Sequence, residues 1–84
     1  MFVMDYDEGQ GWHVTDALFP YGDILISPAS SVLHYAQMMF EGMKAYKTAS
    51  GTYCSFAEMN ARRLNRTNER ICMPQMDEEL FVSA

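Results

Sequence analysis

Basic residues are scarce in this chain: Lys and Arg number 6 against 11 Asp and Glu, a formal charge of −5. So little positive charge argues against a general nucleic-acid or membrane-surface binder, because both rely on a basic excess to displace counterions or to meet anionic lipid. Cysteine is scarcer still. Cys54 and Cys72 stand 18 residues apart with no CxxC pair and no signal peptide before them, which reads as two reduced thiols of a cytoplasmic protein rather than a disulfide. His13 and His34 lie at no recognisable ligand spacing from either thiol, so the pattern gives no support to a zinc site. No apolar run approaches the ~18–20 residues that a membrane span needs. The partners that remain are small molecules and protein.

What the chain does have is apolar and aromatic material. An apolar fraction of 49%, with five Phe, five Tyr and one Trp, argues for a folded domain. With 84 residues, one small domain is the ceiling, and a chain of this size buries only about 60–65% of the surface its unfolded form exposes. Marginal stability, or reliance on a partner, follows from that ratio.

Periodicity sketches an α+β domain of antiparallel strands with two main helices. Met1 to Tyr6 reads as a strand, closed by the turn residues Asp7-Glu8-Gly9-Gln10-Gly11, with Trp12 to Thr15 returning antiparallel. Asp23 to Ser27 reads as a further strand. Ser30 or Ser31 then caps a helix on which Val32, Leu33, Ala36, Met39, Phe40 and Met43 fall at steps of three and four, with Gly42 placed as its left-handed stop. Met43 to Lys47 and Thr52 to Phe56 form a hairpin through Thr48-Ala49-Ser50-Gly51, where Gly51 supplies the positive φ. The run Ser55-Phe56-Ala57-Glu58 is a capping box. It opens a second helix, from about Phe56 to about Cys72, whose inward face carries Ala61, Leu64, Asn68 and Ile71 and which Pro74 terminates. Asp77-Glu78-Glu79 starts a third helical segment whose apolar face, Leu80 to Val82, has little room to finish, and this reads as the front part of something longer.

Four of the six basic residues, Arg62, Arg63, Arg66 and Arg70, fall on the second helix. Arg63, Arg66 and Arg70 are spaced by three and four and share a face. A guanidinium offers a planar fork that grips two oxygens of a phosphate at once; the alternative is a solvated face paired with Glu58 and Glu69. Residue pattern alone goes no further than an α+β domain with a candidate phosphate site.

Longer runs carry a resemblance. His34-Tyr35 followed by Phe40-Glu41-Gly42-Met43-Lys44-Ala45-Tyr46, then Asn60-Ala61-Arg62-Arg63-Leu64-Asn65-Arg66-Thr67, resemble the N-terminal part of the branched-chain amino-acid aminotransferases, pyridoxal-phosphate enzymes of fold type IV. Gly9-Gln10-Gly11-Trp12, Ser27 to Tyr35, and Met73-Pro74 with Glu78-Glu79-Leu80-Phe81 are similar to the family as well.

The resemblance implies that residues 1–84 are part of the small N-terminal domain, and that the larger catalytic domain, with the lysine that holds the cofactor aldehyde, lies outside them. Arg63 matches the residue that grips the cofactor phosphate. Tyr35 and Phe40 match residues that line the substrate pocket; their spacing puts them about 140° apart on an ideal helix, so both face one cavity only if the segment bends or ends near Gly42. Lys44 is the obvious amine by composition, but the resemblance gives the catalytic role to a downstream lysine and leaves none to a residue of this chain. The implied reaction moves an amino group between Leu, Ile or Val and 2-oxoglutarate, in a protein that is a homodimer when complete. D-amino-acid aminotransferases and aminodeoxychorismate lyases share the cofactor geometry and stay open as alternatives, as does a non-catalytic remnant or interaction module.

Overall fold

A computed structural model gives the fold and describes residues 1–14, 18–54 and 56–84. The chain divides into two compact units, Met1–Ala36 and Gln37–Ala84.

In the first unit, β1 (Asp5–Asp7) and β2 (Gly11–His13) form an antiparallel hairpin with Tyr6 opposite Trp12. Two glycines allow the reversal: Gly9 (φ 90°) and Gly11 (φ 83°) occupy left-handed backbone that an L side chain adopts only under strain. The Tyr6 and Trp12 rings meet edge to face at 5.3 Å, the geometry their quadrupoles favour. An isolated bridge joins Phe2 to Leu18, supported by the Phe19 amide donating to the Met1 carbonyl at 2.8 Å. The regular strand is therefore shorter than the predicted Met1–Tyr6, and Thr15 of the predicted return lies outside the described residues.

Two expected elements of this region do not form. Asp23 to Ser27 has no strand, and Leu25 is fully exposed. A strand is held by its neighbours' hydrogen bonds, and no other strand pairs with this one among the described residues. The helix expected over Val32 to Met43 is reduced to one 3-10 turn, Ser31–His34, closed by Tyr35 in left-handed backbone (φ 54°). A helix so short depends on burying its apolar stripe. That stripe stays open instead, with Val32, Leu33, Phe40 and Met43 all exposed. The stop is also misplaced, since Tyr35 and not Gly42 takes the positive φ.

From Ala45 onward the second unit follows its sequence closely. β3 (Ala45–Thr48) and β4 (Gly51–Cys54) pair antiparallel with Thr48 opposite Gly51, so Ala49 and Ser50 make a two-residue turn and Gly51 has φ 146°. The helix α1 (Ala57–Arg70) buries Ala61, Leu64 and Asn68, three of the four positions expected inside; Ile71, the fourth, is half-buried. Ser55 of the predicted capping box lies outside the described residues. The N-cap is Phe56, in left-handed backbone and with no side-chain cap bond. At the other end Cys72 (φ 56°) turns the chain out of the helix before Pro74, and the Met73 amide donates to the Asn68 carbonyl at 2.8 Å. Cys72 is an exposed free thiol. Gln37, expected on a solvated edge, donates to the Ile71 and Cys72 carbonyls at 2.6 and 3.0 Å, satisfying acceptors that the helix end leaves open.

Beyond the turn, α2 (Glu78–Ser83) starts where the acidic run predicts, with Asp77 accepting from the Leu80 amide at 2.7 Å. It packs on α1. Asparagines fix the connection: Asn65 donates to the Met76 carbonyl and accepts from the Met76 amide, both at 2.8 Å, while Asn68 donates to the Pro74 carbonyl at 2.9 Å. The result is an α+β arrangement of two antiparallel hairpins and two helices. No helix among the described residues is long and apolar enough to cross a membrane.

Candidate functional site

The second unit places three of the residues singled out by sequence, Lys44, Arg63 and Arg66, around one open groove of about 830 Å³, whose lining also includes Tyr46 from the hairpin, Phe56, and Met59 from α1. The spacing argument for the arginines holds in space. Arg63, Arg66 and Arg70 border a second shallow groove along α1, together with Thr67 and Glu69. Arg62 points elsewhere, its Nε 3.4 Å from Glu78 on α2.

Arg63 is the most tightly organised of the four. Its Nε donates to Glu41 Oε2 at 2.9 Å and its Nη2 donates to Glu41 Oε1, a bidentate clasp. Glu41 receives two further hydrogen bonds at Oε1, from Asn60 Nδ2 and from the Gly42 amide, each at 3.1 Å. Asn60 Nδ2 also donates to the Gly42 carbonyl at 2.8 Å. The carboxylate is almost covered, its side chain 6% exposed, whereas the Arg63 side chain is 59% exposed.

The charges respond accordingly. Hydrogen bonding from Arg63 is the main cause that lowers the Glu41 pKa to about 2, helped by the Gly42 amide and Asn60 against an opposing desolvation. The same pair raises the pKa of Arg63. Both groups stay ionised across the neutral range.

Glu41 was not among the sequence candidates, which paired the arginines with Glu58 or Glu69. Its separation of 22 residues from Arg63 lies beyond any helical-spacing rule; the available hint was a Glu beside a Gly in one motif and an Arg in the other. The two aromatic candidates fall in different units. Tyr35, at the end of the first, and Phe40, near the start of the second, are both exposed, and Phe40 is not part of the groove lining. The argument from helical angle lapses, because regular helix ends before Tyr35.

The site is thus a cationic groove built on a helix face, with one arginine held by a buried carboxylate and its outer face open. Such a groove suits a small anionic molecule.

Comparison with known proteins narrows this class. No family model matches the chain. Over its full length it is 51% identical to branched-chain-amino-acid transaminase 1 of Bacillus subtilis (strain 168) and 44% identical to the branched-chain-amino-acid aminotransferase of Mycobacterium tuberculosis (strain ATCC 25618 / H37Rv), spanning 24% and 23% of those proteins. Branched-chain-amino-acid aminotransferase 2 of Bacillus subtilis (strain 168) is 45% identical over 94% of the chain, which spans 22% of it. Along its whole length the chain is similar to branched-chain-amino-acid aminotransferases, and it spans about a quarter of the length of these relatives.

Proposed function

We propose that residues 1–84 form part of the small domain of a cytoplasmic, homodimeric branched-chain aminotransferase of fold type IV, one that moves an amino group between Leu, Ile or Val and 2-oxoglutarate. The lysine that the chemistry requires is assigned to a larger domain outside these residues. The observation that carries the reading is the 51% identity over the whole chain to a protein named as a branched-chain-amino-acid transaminase.

The residues present fit the cofactor of such an enzyme, pyridoxal 5′-phosphate. A guanidinium has two edges able to grip an oxyanion. Glu41 takes the Nε–Nη2 edge of Arg63, and the end edge makes no hydrogen bond to any described residue, so Arg63 can hold the phosphate with Arg66 beside it. When bound, the cofactor supplies the aldehyde that takes up the amino group and the ring that draws electrons from the α-carbon. Arg63 contributes position and charge by anchoring one end of the ligand. Tyr35 and Phe40 supply apolar contact for a branched side chain, where each buried methylene is worth about 0.8 kcal/mol. Lys44 adds positive charge to the groove and takes no covalent part.

The test replaces the 85 aligned residues of the Bacillus subtilis transaminase 1 with these 84. The hybrid should load pyridoxal phosphate and transaminate Leu, Ile and Val, and Tyr35→Ala or Phe40→Ala should raise KM for those substrates by about tenfold, the scale of losing one or two buried methylenes. A folded, cofactor-loaded hybrid that prefers D-alanine, or that ignores branched-chain substrates, overturns the reading.

A further inference from the structure

An arginine on a helix surface is a poor anchor unless something fixes its plane, since its long side chain samples many rotamers and loses that freedom on binding. Here the fixing group is visible. Four donors converge on Glu41: Arg63 Nε, Arg63 Nη2, Asn60 Nδ2 and the Gly42 amide. The carboxylate is nearly buried and the guanidinium more than half exposed, so Glu41 is the stationary member of the pair.

We propose that Glu41, itself held by Asn60 and the Gly42 amide, is a positioning residue for Arg63: it occupies the lateral edge of the guanidinium and so presents the end edge, Nη1 and Nη2, to a phosphoryl group. This inference rests on the reading of Arg63 as the phosphate anchor. Glu41 is not a latch that the ligand displaces, because displacement would break both hydrogen bonds from Arg63 while Asn60 and the Gly42 amide still hold the nearly buried carboxylate in place. Nor is it a simple neutralising charge. Neutralisation alone would need neither the bidentate geometry nor Asn60, which ties the carboxylate to α1 and also holds the Gly42 carbonyl at 2.8 Å.

Charge-conserving variants separate position from charge. Glu41→Asp keeps the negative charge on a shorter arm, and Asn60→Ala removes a bond to the carboxylate without altering any charge. The 84-residue chain, labelled with ¹⁵N-arginine, is titrated with inorganic phosphate and, separately, with pyridoxine 5′-phosphate, which has no aldehyde to react with lysines. The readouts are the Arg63 Nε–H resonance and the probe affinity, with backbone amides of β3, β4 and α1 reporting the fold. Both variants should bind both probes about three- to tenfold more weakly, the scale of re-ordering one long side chain, and the Arg63 Nε–H should exchange faster with solvent.

Wild-type affinity in both variants overturns the positioning role. Asn60→Ala decides alone if Glu41→Asp disturbs the hairpin, since Ala is a better helix former than Asn. Arg63→Ala distinguishes the two levels. If it binds the probes as well as wild type, or if wild type binds neither, the anchor reading itself falls. If Arg63→Ala loses binding while the charge-conserving variants keep it, only the positioning role falls.

Discussion

Glu41 is the residue on which the site's electrostatics turn, and its titration makes the pair measurable. Its folded pKa, lowered to about 2 by the Arg63 hydrogen bonds, lies below the ordinary value of 4.5. The stability it contributes is therefore complete above about pH 5 and is lost as pH falls through the folded value. Carboxyl ¹³C shifts should place the Glu41 midpoint near 2 in the wild type, and Arg63→Ala should return it toward 4.5. A midpoint that ignores the substitution would mean that the clasp does not exist in solution. The substitution also leaves a nearly covered carboxylate with only Asn60 and the Gly42 amide as donors, so the segment around Glu41 should loosen, seen as faster exchange of the Gly42 amide.

Among the elements, the hairpin turn and the helix connection hold by different means and fail differently. Gly51 takes φ 146°, and the nearest atoms to a would-be Cβ are those of the Tyr53 side chain, at 3.6 Å or more. Room is not the problem, but backbone is: Gly51→Ala should destabilise the β3–β4 hairpin by about 1–3 kcal/mol, read as loss of cross-strand NOEs between Lys47 and Thr52. Asn65 instead satisfies both backbone groups of Met76. Removing it orphans a donor and an acceptor together, so Asn65→Ala should cost about 1–3 kcal/mol and undock α2, with the Met76 amide losing its protection from hydrogen exchange. These elements were legible because their signals are local: a Gly closing a two-residue turn, a stripe at steps of three and four through Ala61, Leu64 and Asn68, an Asp before two Glu. Asp23 to Ser27 and Val32 to Met43 carried equally good local patterns and formed neither strand nor long helix. Their patterns specify what they could become on a surface, and the described residues offer none. The site divides the same way: the arginine face of α1 could be read from spacing, whereas its Glu41 partner depends on a contact across 22 residues that no periodicity encodes.

Taken whole, the molecule holds most of its apolar material outside. Among the described residues only Ala61 and Leu64 are buried hydrophobics, while Leu25 and Phe40, at 101% and 86% of full exposure, and many others stay open. Burial is concentrated where α1 meets α2, and stability must be distributed likewise, because protection follows buried apolar contact and shielded backbone hydrogen bonds. Hydrogen exchange of the 84-residue chain should therefore be graded. Amides of α1 around Ala61, Leu64 and Asn68 should be slowest, those of β3 and β4 intermediate, and those from Tyr21 to Ser27 near the intrinsic rate. Heating should give a broad transition with small enthalpy, and the exposed apolar groups should bind ANS before any melting. Uniform protection with one sharp, calorimetrically two-state transition would instead show that the apolar residues are covered in solution, and the exposed surface described for them would then be wrong.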